Sequence, residues 1–153
     1  MSETRSDPMD QLFVFLVGDM KQAIFLSGVQ KVELAVEVTP LPEAPRIVIG
    51  AINWRGYILP VLSMRRRLHF PERDVMASDR MVIVQSRRRR FALMVDEVMG
   101  VQQAAPDDFT QAGAISEGLD SLAGASRTQD GIVLIHDLDL FLNEADEKVL
   151  AGL

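Results

Sequence analysis

Short apolar runs with a period of two, each closed by turn residues, dominate this chain and direct it towards small antiparallel β-structures. Leu12 to Val17 ends on Gly18-Asp19 and Gln22 to Leu26 follows, which predicts a hairpin. Val32 to Val38 alternates in its second half, as a half-exposed strand does. Pro40, Pro42 and Pro45 then make a loop, because proline has no amide hydrogen to give a ladder. Gly50 to Trp54 and Tyr57 to Leu62 flank Arg55-Gly56 as a second hairpin, and Arg80 to Gln85 and Phe91 to Val95 flank a basic run as a third. Asp96 to Val101 continues as strand. Ala114 to Leu119 and Gly131 to Ile135 are the last two, with Asp130-Gly131 as a turn signal. Runs spaced this way belong to small barrels or a sandwich.

Two segments read as helical. Ser63 to Leu68 has room for a turn or two. Asp137 to Ala151 places Leu138, Phe141, Leu142, Ala145 and Val149 at helical spacing, with Asp137 to cap its start and Gly152 beyond its end. The reading is a mostly β chain with a C-terminal helix. No clean internal repeat stands out, although Ile52 to Leu62 and Met81 to Val95 both run strand, tight basic turn, strand. That allows two similar barrels.

At 153 residues the chain has the length of one compact domain. Residues 1–10 are polar, carry Glu3, Asp7 and Asp10, and are expected to form a flexible arm before a single domain over 11–153. The absence of cysteine excludes disulfides, thiol catalysis and cysteine-ligated metals, and fits a cytoplasmic setting. No apolar run approaches the roughly 18 residues of a membrane helix, so no direct insertion is expected.

Catalytic signals are missing. His69 and His136 have no nucleophile at motif spacing, and Ser63 and Ser86 do not lie in a nucleophile elbow. Asp96-Glu97, Asp107-Asp108 and the Asp137/Asp139 pair lack calcium-loop spacing, and no glycine pattern fits a nucleotide. No enzyme activity, cofactor or metal is therefore expected. Arg65 to Arg67 and Arg87 to Arg90 raise one alternative, a small-barrel nucleic-acid binder. They lack interleaved aromatics, and the net charge is −6, so nucleic acid is not the expected partner.

That net charge is unevenly spread. Residues 65–90 hold 9 Arg against 3 acids, whereas residues 91–153 hold 12 acids against 2 basic groups. The split suggests two faces for two partners, with Arg87 to Arg90 as an exposed tip. Local compensation is the plainer alternative.

Pro42-Glu43-Ala44-Pro45, then Ile49-Gly50-Ala51-Ile52-Asn53-Trp54-Arg55-Gly56, then Ile58-Leu59-Pro60-Val61-Leu62 resembles the signature of CheW-like domains. Met81 to Val84, Val95-Asp96-Glu97-Val98 and Ile132 to Leu142 match further segments in order, over roughly residues 11–143. The resemblance implies two intertwined five-stranded SH3-like barrels. It also implies a non-catalytic adaptor that couples a chemoreceptor's cytoplasmic tip to the regulatory domain of a CheA-type histidine kinase. Such an adaptor would be cytoplasmic and recruited to membrane-associated receptor arrays. Carried onto this chain, the receptor-binding residues are Gly50, Asn53, Trp54, Arg55, Gly56, Val95 and Val98. Kinase contact would use exposed apolar residues on strand edges. Arg55 has two readings: it pins the two barrels together, or it holds a carboxylate of a partner. Three departures stand out. Lys31 replaces a glutamate that commonly faces the signature arginine, leaving Glu33 as an acid for Arg55. Trp54 replaces the usual Leu, and Ser63 the usual Asp.

Overall fold

The computed structural model describes residues 11–104, 109–111, 121–129 and 131–152. The elements in order are β1 (Gln11–Val17), β2 (Met20–Phe25), β3 (Val29–Leu34), β4 (Val48–Trp54), β5 (Tyr57–Ser63), α1 (Met64–Arg67), β6 (Arg80–Gln85) and β7 (Arg90–Val95). Then follow β8 (Glu97–Gln103), β9 (Phe109–Gln111), β10 (Leu122–Thr128), β11 (Gly131–His136) and α2 (Glu144–Val149). One sheet has the order β8-β1-β2-β11-β10-β9 and the other β3-β6-β7-β5-β4. The chain opens the first sheet, builds the whole of the second, and returns to finish the first. The expected intertwining is present, and the short β9 gives one sheet a sixth strand. Among the described residues, no helix is long and apolar enough to cross a membrane.

The two sheets share one wiring plan. Each is organised about a parallel pair, β2 with β11 and β7 with β5, and each side of that pair is an antiparallel hairpin. β4 and β10 have the same succession of buried and exposed positions along seven residues. Both slip register just before a glycine, Gly50 or Gly124. Both glycines are there for the same reason. A methyl on Gly50 would overlap the Thr39 carbonyl oxygen, and one on Gly124 the Thr110 carbonyl oxygen. Thr39 and Ala51 exchange two backbone hydrogen bonds of 3.0 and 2.8 Å, which bring the chain beyond β3 against β4 at the opposite edge of its sheet.

Among the described residues, the buried apolar side chains form three clusters. Leu12, Val14, Ala23, Val133 and Ile135 fill one sheet's interior, and Ile52, Leu59, Val61, Met81, Ile83 and Ala92 the other's. Between them lies a seam of Phe13, Phe15, Val17, Val82, Val84, Phe91, Leu93, Val95 and Phe141. β1, β6 and β7 thus bury both faces, which is why the run Phe13 to Val17 is continuously apolar. Phe91 and Phe141 meet edge to face in the seam, with centroids 6.1 Å apart.

Several expectations need correction. The ladder of β3 stops at Leu34, and Leu34 and Val36 are exposed. The proposed strand Ala114 to Leu119 lies outside the described residues, whereas β9 and β10 were not anticipated. The C-terminal segment is not one helix. Asp137 caps a 3-10 turn at Leu138–Leu140, after which Phe141 and Leu142 drop into the seam. Asn143 then starts α2 with a reciprocal capping box to Asp146. The residue buried at its end is Leu150, while Val149 is exposed.

Candidate functional site

Arg55 and Gly56 are the two central residues of the β4–β5 turn, between the paired Trp54 and Tyr57. Both have positive φ, 53° and 90°, as a type I′ hairpin requires. Glycine adopts that region freely, but an arginine there carries a cost of order 1 kcal/mol. Asn53 offsets part of it by accepting the Gly56 amide at 2.9 Å. The result is a stiff loop that holds the Arg55 side chain outward.

Trp54 organises the surface behind the tip. Its indole N–H donates to Glu33 at 2.8 Å, joining β4 to β3. The Arg55 guanidinium lies 4.7 Å from the indole centroid and that of Arg90 5.3 Å, with Arg90 also 5.2 Å from the Tyr57 ring. Tyr57 and Ile58 are mostly exposed beside them. Glu33 is therefore engaged by Trp54 rather than by Arg55. Among the described residues Arg55 makes no ion pair, and Lys31 is exposed. Two cations and two rings form one patch whose electrostatics favour a carboxylate (or another anion) arriving from outside.

The other expected site residues divide. Asn53, Trp54, Arg55 and Gly56 share the tip. Gly50 is buried beneath Thr39, and Val95 is 1% exposed within the seam. Neither presents a side chain at the surface; both shape the strands from within. Val98 is half-buried against the seam. Tyr57, Ile58 and Arg90 complete the patch, and of these Ile58 and the placing of Arg90 beside Trp54 were not anticipated. An exposed Tyr-Ile pair directly after a turn was the available signal. Ser63 does the work of an aspartate, accepting the Arg66 amide at 3.2 Å as the N-cap of α1.

The arginine runs are largely consumed within the protein. Arg65 grips Asp96 through two bonds of 3.0 and 2.7 Å, and Arg73 reaches Asp79 and Asp96. Arg67 donates to the Phe141 carbonyl at 2.6 Å, and Arg89 pairs with Glu147 at 2.7 Å. Arg87 is exposed near Asp139, but Arg89 and Arg90 are half-buried, so the four arginines are not simply an exposed tip. The basic middle and acidic end of the sequence meet in these pairs. Local compensation accounts for much of the charge split. Burial alone would raise the Asp96 carboxyl, but the Arg65 hydrogen bonds, the Gly18 amide and the charges of Arg65 and Arg73 leave it below its ordinary value.

His136 is a core histidine. It is fully buried, bonded to Ser121 Oγ at 2.8 Å and Gln22 Oε1 at 2.6 Å, and stacked on Phe141. Burial, aided by the Arg67 charge, pushes it down to about 4. Both ring nitrogens are thus engaged by neighbouring side chains within the core. Among the described residues no cluster of three acidic or histidine side chains is arranged to hold a metal ion.

The two intertwined sheets define a double-barrel module of the scaffold class. The chain belongs to the CheW-like domain family, whose model matches residues 11–146. It is 26% identical to a probable chemotaxis protein CheW of Rhizobium etli over 90% of each chain. Protein FrzA of Myxococcus xanthus is 28% identical over 94% of this chain and 92% of its own. The crystal structure of the scaffolding protein TtCheW from Thermoanaerobacter tengcongensis superposes with a TM-score of 0.81 at 23% identity, covering 90% of this chain and 94% of that one. The double SH3-like barrel expected from the sequence is borne out.

Proposed function

We propose that this chain, a CheW-family chemotaxis scaffold, couples the cytoplasmic tip of a chemoreceptor to the regulatory domain of a CheA-type histidine kinase without catalysing a reaction. It works in the cytoplasm and reaches the membrane through its receptor. The observation that carries the receptor half is the strained turn that holds Arg55, without an ion pair among the described residues, beside Trp54, Tyr57 and Ile58. A carboxylate on a receptor helix would complete the arginine, and the neighbouring rings would bury that helix's apolar side. For the kinase, edge strand β8 offers Met99 and Val101, 41% and 52% exposed, to a facing barrel.

Arg55→Glu tests the reading. The variant is expected to melt like the native chain, retain capture of the kinase regulatory domain, and lose receptor capture at least tenfold. Undiminished receptor capture by that folded variant overturns the assignment. Nucleic-acid binding is disfavoured because Arg65, Arg66, Arg67 and Arg89 already serve partners inside the molecule.

A further inference from the structure

The indole of Trp54 holds charges of both signs at once. An aromatic ring is negative on its faces and positive at its edge, so cations settle over it and anions at its rim. The Arg55 and Arg90 guanidinium groups lie 4.7 and 5.3 Å from the ring centroid, while Glu33 Oε2 accepts the indole N–H at 2.8 Å. One acid and two cations thus meet the same side chain without pairing with each other. Among the described residues no carboxylate pairs with Arg55 or Arg90, and the Glu33 carboxylate bonds only to Trp54.

Both arginines have room for an acceptor. Arg90 Nε is buried without a hydrogen-bond partner, and a buried donor left open is unfavourable. Arg55 stands on its strained turn, exposed and without a counter-charge. Glu33 already touches the ring on which both rest, so it is the acid placed to fill them. The indole N–H prevents this. Trp54 is half-buried, and a hydrogen bond to a charged acceptor there outweighs an ion pair with the exposed Arg55.

We infer that Trp54 is a positioning residue for partner recognition: its N–H withholds Glu33 from Arg55 and Arg90, so that both guanidinium groups stay open to a carboxylate of the partner. This rests on the receptor-coupling role proposed for Arg55 and adds that the chain carries its own competing acid. Residue 54 decides whether that acid competes. A side chain without an N–H at this position would release Glu33 onto the arginines and close the site from within.

Trp54→Phe is the test, because it keeps an aromatic face for the arginines and removes the N–H donor. Capture of a chemoreceptor cytoplasmic fragment should fall about tenfold, the scale of one charge-assisted bond. Adding Glu33→Gln to that variant should restore capture to within about twofold of the native chain, since the competing charge is gone. Glu33→Gln alone should leave capture unchanged, because its amide oxygen still accepts the indole N–H. Native-like capture by Trp54→Phe overturns the inference. So does a double variant no better than Trp54→Phe, the result expected if Trp54 merely joins β4 to β3. The same pair of measurements on Trp54→Leu guards against a phenyl ring that packs poorly.

A second readout needs no partner. The Nε–Hε NMR resonances of Arg55 or Arg90 should differ between Trp54→Phe and the double variant, and coincide between the native chain and Glu33→Gln. Identical resonances in Trp54→Phe and the double variant overturn the inference. If the native chain fails to capture the receptor fragment, the receptor-coupling reading falls, and these resonances decide whether Trp54 withholds Glu33.

Discussion

The hairpins β4–β5 and β10–β11 occupy equivalent places in the two barrels, and what they share separates folding from function. Buried positions coincide, a glycine sits beneath a threonine carbonyl in each, and each leads into a capped turn, by Ser63 in one and Asp137 in the other. The tips do not coincide. One carries Trp54, Arg55 and Gly56; its counterpart carries the shorter, polar Thr128 and Gln129. Barrel closure constrains what lies underneath, so it repeats. Barrel closure does not require a tryptophan between two arginines, and that difference is what supports the proposed partner contact at this tip.

The largest expected effect tests the shared part. Gly50→Ala and Gly124→Ala should each cost about 3 kcal/mol or more in denaturant unfolding, because the added methyl meets a backbone carbonyl rather than a flexible side chain. A severe loss in one and none in the other would break the equivalence.

Next is the position at which one barrel has Leu62 and the other His136. An imidazole near 4 when folded and near 6.5 when unfolded binds its proton in the unfolded chain first. Stability is therefore complete above pH 6.5 and falls as pH drops towards 4, by about 3 kcal/mol in total. Unfolding free energies measured across that window should show this slope in the native chain. His136→Leu should abolish the slope, at some cost from leaving Ser121 and Gln22 unpaired. A slope that survives places the titration elsewhere. Asp96 contributes a separate loss at lower pH, since its depressed carboxyl gives stability that disappears on protonation.

Smaller effects concern the tips. Trp54→Leu should cost about 1 kcal/mol of stability through the lost Glu33 bond and stacked arginines, seen as a lower denaturation midpoint. It should cost receptor capture more than that. Gln129→Glu, on the equivalent tip, should change stability by less than about 0.5 kcal/mol and leave capture untouched. A loss of receptor capture there would mean that both tips bind.

Much of this architecture was legible because its signals are local. Gly18-Asp19 and Arg55-Gly56 declare their turns, and apolar runs on either side declare the strands. β10 was hidden because Gly124 and Ser126 resemble loop residues, although Leu122-Ala123-Gly124-Ala125 repeats the pattern of Val48-Ile49-Gly50-Ala51. The break at Asn143 was hidden because periodicity continues through it, while the demand that Phe141 enter the seam comes from Phe91 and Arg67, far away in sequence. At the site, the turn and Arg55 could be read directly. Arg90 could not, since only the fold carries it to Trp54.

The order in which the strands are used has a consequence for how the molecule is made. β3 to β7 are consecutive, so the second barrel can close while the rest of the chain is still being synthesised. The first cannot, because β1 waits for β8 and β2 for β11. During that interval Val82, Val84 and Phe91 face water, and the β1–β2 hairpin has open edges on both sides. A nascent chain is thus most exposed to sticking in the interval between the emergence of β7 and that of β11.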